Sequence, residues 1–254
     1  MNDEIQECER LGCKHCEDLS NLGFDFTMAF QPIINAAHAS VFGYEALVRG
    51  PNNESAFSII SQVHEGNRYV FDQLCRVKAI ALAAKLGIKE MLSINFLPKA
   101  IYSPERCIRT TLEAAKKYNF PAENIMFEFT EVEKIEDTEH VERVVNYYKS
   151  LGFKTAIDDF GSGYAGLNLL ADFQTNIVKF DMELVRNINN DKVRQAIFRN
   201  CLIMMKEIGI TPLAEGIETQ GEYEWLREQG VELMQGYLFA KPGFECLPVV
   251  NFEP

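Results

Sequence analysis

The chain has 254 residues, 47% of them apolar and 24% charged, and a formal net charge of −12. This length suits one large α/β barrel or two small domains, and the composition excludes disorder as the main state. So acidic a chain is ill suited to coating a nucleic-acid polymer, and an anionic substrate would have to be drawn in by a bound cation.

Residues 1–25 differ from the rest. They hold seven acids (Asp3, Glu4, Glu7, Glu9, Glu17, Asp18, Asp25) against Arg10 and Lys14, with three of the seven cysteines. They are expected to form an N-terminal extension, followed by one barrel domain over 26–254. The opening MNDEIQECER is acidic and has no apolar run, unlike a secretory leader. No stretch reaches about 18 consecutive apolar residues, so no membrane insertion is expected. An odd number of scattered cysteines suits reduced thiols and a cytoplasmic location. Cys8, Cys13 and Cys16, with His15, have the spacing of part of a zinc or redox site. Three thiolates do not complete a tetrahedral zinc site, so incidental cysteines are slightly the better reading. Cys75, Cys107, Cys201 and Cys246 lie in apolar stretches and are expected in the core.

From Phe26 onward the texture is uniform and rhythmic. Short apolar runs each stop at a polar residue: MLSI at Asn95, NIMF at Glu128, FKTAI at Asp158, NIV at Lys179 and TPLA at Glu215. Between them lie stretches with helical spacing, Phe71–Leu86, Glu139–Leu151, Lys192–Ile208 and Gln220–Gln229. Gly87, Gly152, Gly209 and Gly230 follow these stretches at C-terminal cap positions. Strand, polar residue and helix, repeated, predict parallel βα units and a closed (β/α) barrel. In such barrels the chemistry sits at the carboxyl ends of the strands.

The side chains expected there are Glu45, Asn95, Glu128, Glu131, Asp158, Asp159, Lys179, Glu215, Glu218 and Gln235. Taken singly, most are better explained as a helix cap, a turn or a solvated charge; all of them in one register are not. Carboxylates that close together cannot all stay ionised unless cations neutralise them. Oxygen ligands select hard divalent ions such as Mg²⁺ or Mn²⁺, and the absence of histidine at these positions argues against zinc. Adjacent Asp158 and Asp159 suit a bridge between two ions, an arrangement fitted to in-line attack on a phosphodiester.

In order along the chain stand FQPI, EALVR, SINF, FEFTE, DDFGSGY, VKFD, AEGIET and QGYLF. From Phe26 to about Pro242 the sequence resembles the EAL domain, the bacterial phosphodiesterase of cyclic di-GMP. The resemblance implies a TIM-like (β/α)8 barrel variant whose first strand is antiparallel, and hydrolysis of cyclic di-GMP to linear pGpG. It implies that Glu45, Asn95, Glu128 and Asp158 hold one metal, and Asp158, Asp159 and Glu215 the second. Lys179 would bond the attacking water or the developing phosphate charge, and Gln31 and Arg49 would bind substrate. Asp181, Glu218 and Gln235 would position water, lysine or guanine. Glu131 would anchor the loop after Asp159, and that glycine-rich loop would couple the site to a homodimer interface. The chain departs from the family in a short segment after EALVR, in Leu97 where a small polar residue is usual, and in Ala165-Gly166 where serines are common. None of these removes a ligand. The rival readings are a catalytically silent cyclic di-GMP receptor and a protein-binding barrel.

Overall fold

The structure, a computed structural model, describes residues 22–97, 100–101, 103–130, 137–162 and 166–252. Cys8, Cys13, His15, Cys16 and Glu131 lie outside the described residues. Strands β1 (Thr27–Asn35) and β2 (Ser40–Arg49) form an antiparallel hairpin, followed by helices α1 (Ala56–Ile60) and α2 (Arg68–Leu86). Then come β3 (Met91–Asn95), α3 (Pro104–Lys117), β4 (Ile125–Thr130), α4 (Thr138–Ser150), β5 (Lys154–Phe160) and α5 (Gly166–Asp172). The chain continues through β6 (Ile177–Phe180), α6 (Met182–Val185), α7 (Lys192–Glu207), β7 (Thr211–Ala214), α8 (Gln220–Glu228), β8 (Leu233–Met234) and β9 (Gly243–Phe244).

Strands β2 to β8 are consecutive parallel neighbours. β1 closes the barrel by pairing antiparallel with both β2 and β8, and short β9 pairs beside it. This is the predicted barrel with its reversed first strand. The four predicted helices appear within a few residues of their expected ends, and all four glycines after them have positive φ. At Gly87 the left-handed turn lets its N–H bond back to Ala84 O and that of Ile88 to Ala83 O, which ends α2 cleanly. Helix α3 was not foreseen. Its buried stripe is Cys107, Ile108, Thr111, Ala114 and Ala115, a helical spacing carried by residues too small or polar to read as an apolar run.

Alternation along the strands divides the apolar residues into two compartments. The larger fills the space between strands and helices, where Phe127 packs 5.0 Å from Tyr148 and 5.9 Å from Phe96, ring centre to ring centre. The smaller is a floor inside the barrel made of Ile33, Met126, Ala156, Ile177, Leu213 and Leu233. Two residues beyond the floor residues of β4 to β8, the inward position turns polar: Glu128, Asp158 and Lys179 within their strands, Glu215 and Gln235 just past the ends of β7 and β8. Among the described residues no helix is long and apolar enough to cross a membrane.

One loop junction rests on a single buried carboxylate. Glu222, at the third position of α8, is fully buried. It accepts hydrogen bonds from Asn187 N (2.8 Å), Glu218 N (3.0 Å) and Thr219 N (3.0 Å), while the Thr219 hydroxyl accepts from Glu222 N to complete a capping box. Burial alone would raise its pKa; the backbone donors of Asn187, Glu218 and Thr219 outweigh that and hold it below the ordinary glutamate value. Its stabilisation is therefore present above the ordinary glutamate range and is lost as pH falls through the lowered pKa. Glu222→Ala should destabilise the fold by about 3 kcal/mol in urea unfolding at pH 7, since it orphans three donors. Glu222→Gln, which keeps one acceptor oxygen, should lose less, and its deficit against wild type should shrink as the solution is acidified below the ordinary glutamate range.

Candidate active site at the mouth of the barrel

The polar layer converges on one ammonium group. Lys179 Nζ lies 2.8 Å from Glu128 Oε2, 2.8 Å from Glu215 Oε1, 3.0 Å from Asp158 Oδ1 and 3.6 Å from Glu45 Oε2. The lysine side chain is 1% exposed. Glu45 is held by amides: Asn95 Nδ2 donates to its Oε1 at 2.9 Å and Gln235 Nε2 to its Oε2 at 2.8 Å. Gln31 faces Glu45 across the hairpin, and Asn95 faces Glu128 between β3 and β4.

β3 ends at Asn95 and β7 just before Glu215, as the sequence pattern suggested, but other strands run past their polar residues. β4 runs two residues past Glu128, β5 runs on to Phe160, and Glu45 lies well inside β2. The barrel wall therefore rises above the charged layer, which is why Glu45, Glu128, Asp158 and Lys179 are buried.

Adjacent Asp158 and Asp159 could not share one face of a regular strand. The register between β5 and β6 slips between Ile157 and Phe160, and Asp159 takes φ +55°. This irregularity turns both side chains toward the mouth, where Asp158, Asp159 and Glu215 bring carboxylate oxygens within 4.8 Å of one another. The Asp159 carbonyl is fastened by Ser162, whose N (3.0 Å) and Oγ (2.9 Å) both donate to it.

Four carboxylates thus surround one ammonium, and Asp159 adds a fifth acid beside Asp158 and Glu215. Burial drives Glu128 and Glu215 well above the ordinary carboxylate range, against the pull of Lys179. Asp159 is pushed up to about 6 by burial and by Asp158 and Asp181. Burial would lower Lys179, but Asp158, Glu128, Glu215 and Glu45 together hold it protonated, well above its ordinary value. Two buried carboxylate oxygens, Glu128 Oε1 and Asp158 Oδ1, have no hydrogen-bond donor, the latter lying near Lys179 Nζ without hydrogen-bond geometry; the amide oxygen of Gln235 is also without a donor. Surplus negative charge and orphaned oxygens fit hard divalent cations. The carboxylates fall into two groups that share Asp158: Glu45, Glu128 and Asp158, and Asp158, Asp159 and Glu215.

Three further predicted residues are engaged by partners other than Lys179. Asp181 caps α6, its Oδ1 accepting from Glu183 N at 2.8 Å. Arg49 Nη1 donates to Val48 O at 2.7 Å. Glu218 Oε1 accepts from Arg186 Nη2 at 2.9 Å. Arg186 was missed, because nothing in the sequence links positions 186 and 218; the loops after β6 and β7 bring them together.

The EAL domain profile matches residues 18–242. A crystal structure of a standalone versatile EAL protein from Vibrio cholerae O395, bound to c-di-GMP, superposes with a TM-score of 0.89 at 72% identity, covering 91% of this chain and 97% of that one. The Klebsiella pneumoniae BlrP1 calcium/cyclic di-GMP complex gives a TM-score of 0.84 at 34% identity over 90% of this chain and 58% of that one. The blue light- and temperature-regulated antirepressor BluF of Escherichia coli K12 is 31% identical over 223 residues, 87% of this chain and 55% of BluF. The cyclic di-GMP phosphodiesterase PdeR of the same organism is 32% identical over 178 residues, 70% of this chain and 26% of PdeR. The chain therefore spans about half the length of BluF and about a quarter of PdeR.

The left-handed backbone at Asp159 yields a stability test independent of activity. Any side chain with a Cβ opposes φ +55°, and glycine does not. Asp159→Gly should therefore be more stable than Asp159→Ala by about 1 kcal/mol in urea unfolding with chelator present. Equal stability would mean that the backbone there is not held left-handed.

Proposed function

Because the chain belongs to the EAL domain family, we propose that it hydrolyses cyclic di-GMP to linear pGpG with the aid of two divalent ions, Mg²⁺ or Mn²⁺. The observation that carries this reading is the pair of carboxylate groups sharing Asp158, with Lys179 between them. Glu45, Asn95, Glu128 and Asp158 would hold one ion; Asp158, Asp159 and Glu215 would hold the other. Bound there, such ions supply Lewis-acid polarisation of the phosphodiester and a lowered pKa for the attacking water.

The chain's own groups do the rest. Lys179, kept protonated by its carboxylates, donates a hydrogen bond to the water or to the charge developing on phosphate. Glu215, within 2.8 Å of Lys179 Nζ, orients that ammonium as well as serving as a ligand. Arg49 forks onto phosphate oxygens and Gln31 lines the substrate side of the mouth. Gln235 steadies Glu45, and Asp181 and Glu218 contact water, lysine or guanine, with Arg186 fixing the Glu218 carboxylate. Glu131 anchors the loop after Asp159. The working state is a cytoplasmic homodimer.

A second reading is a cyclic di-GMP receptor without catalysis, favoured by the similarity to the antirepressor BluF. The complete ligand set together with Lys179 favours the enzyme.

Incubation with cyclic di-GMP and Mg²⁺ or Mn²⁺ should yield pGpG by chromatography, and chelator should stop it. Binding without turnover would select the receptor. Asp158→Asn, which alters the residue common to both groups, should abolish turnover. Lys179→Ala should lower kcat by about two orders of magnitude or more while substrate still binds; lost binding with intact kcat would make Lys179 a substrate anchor instead.

A further inference from the structure

A buried ion pair outside the proposed chemistry lies on the opposite face of the same strands. Asp72 and Arg76, one turn apart on α2, are 2% and 0% exposed, with Arg76 Nη2 2.8 Å from Asp72 Oδ2. Burying two charges is costly, and an apolar pair of similar size often serves packing as well or better. What an apolar pair could not do is accept a backbone hydrogen bond. Asp72 Oδ1 accepts from Leu97 N at 3.1 Å, and Leu97 stands two residues beyond Asn95. The Leu97 side chain packs against the outer core.

Arg76 grips the same strands from behind. Its guanidinium lies 4.9 Å from the centre of the Phe127 ring and 5.8 Å from that of Phe96, and Nη1 donates to Tyr148 Oη at 3.1 Å. Phe96 follows Asn95, and Phe127 precedes Glu128. Phe96 N also donates to Glu128 O at 2.9 Å. Side chains alternate across a strand, so Asn95 and Glu128 face the mouth while Phe96 and Phe127 face the ion pair. Asn95 Nδ2 is engaged by Glu45 Oε1, which leaves Asn95 Oδ1 as its ligand atom.

We infer that Asp72 is a positioning residue for the first ion site: by holding the Leu97 amide it fixes the backbone that presents Asn95. The inference rests on the divalent-ion reading above. Partners behind a metal ligand characteristically change metal affinity when removed.

The test compares D72L/R76M with D72N/R76M. Both exchange the ion pair for neutral side chains, and only the second keeps an acceptor for the Leu97 amide. Mn²⁺ affinity is read by calorimetric titration without substrate, and Tm is recorded for each protein. D72L/R76M should bind Mn²⁺ at least about tenfold more weakly, with D72N/R76M close to wild type. Equal Mn²⁺ affinity in both variants, whether intact or weakened, overturns the inference. A wild type that binds no Mn²⁺ overturns the functional reading, and this inference with it. If D72L/R76M does not fold, amide exchange in the wild type decides. Mn²⁺ should then slow exchange at Leu97 and leave unchanged the Thr155 amide, which bonds Asn176 Oδ1 near the barrel floor. An unchanged Leu97 rate overturns the proposal.

Discussion

The organising constraint of this molecule is the charge balance around Lys179. Four carboxylates approach one ammonium inside a barrel, with a fifth, Asp159, beside two of them and little water to screen the charges. Low dielectric strengthens the attraction to Lys179 and the repulsion among the acids alike. The surrounding structure answers that conflict. The amides of Asn95 and Gln235 hold Glu45 in a defined orientation. The apolar floor of Ile33, Met126, Ala156, Ile177, Leu213 and Leu233 closes the barrel beneath the charges. What is left over is negative charge and carboxylate oxygens without donors, a demand that divalent cations meet.

Backbone geometry decides which acids take part. In regular strands the period of two would send Asp158 and Asp159 to opposite faces. The slipped register and the left-handed Asp159 overrule that rule locally. The backbone strain this carries is of order 1–2 kcal/mol, small beside the electrostatic effect of placing a second aspartate in the mouth. Asp158 thereby becomes the member common to both carboxylate groups.

Support for the mouth comes from two directions. Above it, the loops after β6 and β7 are stitched together. Arg186 bonds Glu218, and Glu222 gathers amides from both loops. Gly216, at φ +65°, lies so close to Met182 that a Cβ there would collide with it. Behind the strands, Asp72 and Arg76 press on the residues flanking Asn95 and Glu128. The apolar alternation that builds the wall thus also transmits position from the helix layer to the charged layer.

Much of this was legible in the sequence. The spacing of short apolar runs and helical stretches specified the parallel βα units, because burial on both faces of a strand and on one face of a helix leaves distinct periods. The polar residues closing those runs marked Asn95, Glu128, Asp158, Lys179 and Glu215, because one end of every parallel strand meets the same opening. The ordered motifs then identified the reversed first strand, which no period reveals. Other features were decided only by the tertiary structure. Helix α3 escaped notice because its buried stripe is made of small residues. The depth of the acids depended on how far the wall extends past them. The bulge at Asp159, the Arg186–Glu218 contact and the reach of Asp72 to Leu97 join positions through packing and register. Such contacts are set by distances between elements far apart in the chain, and local sequence carries no record of them.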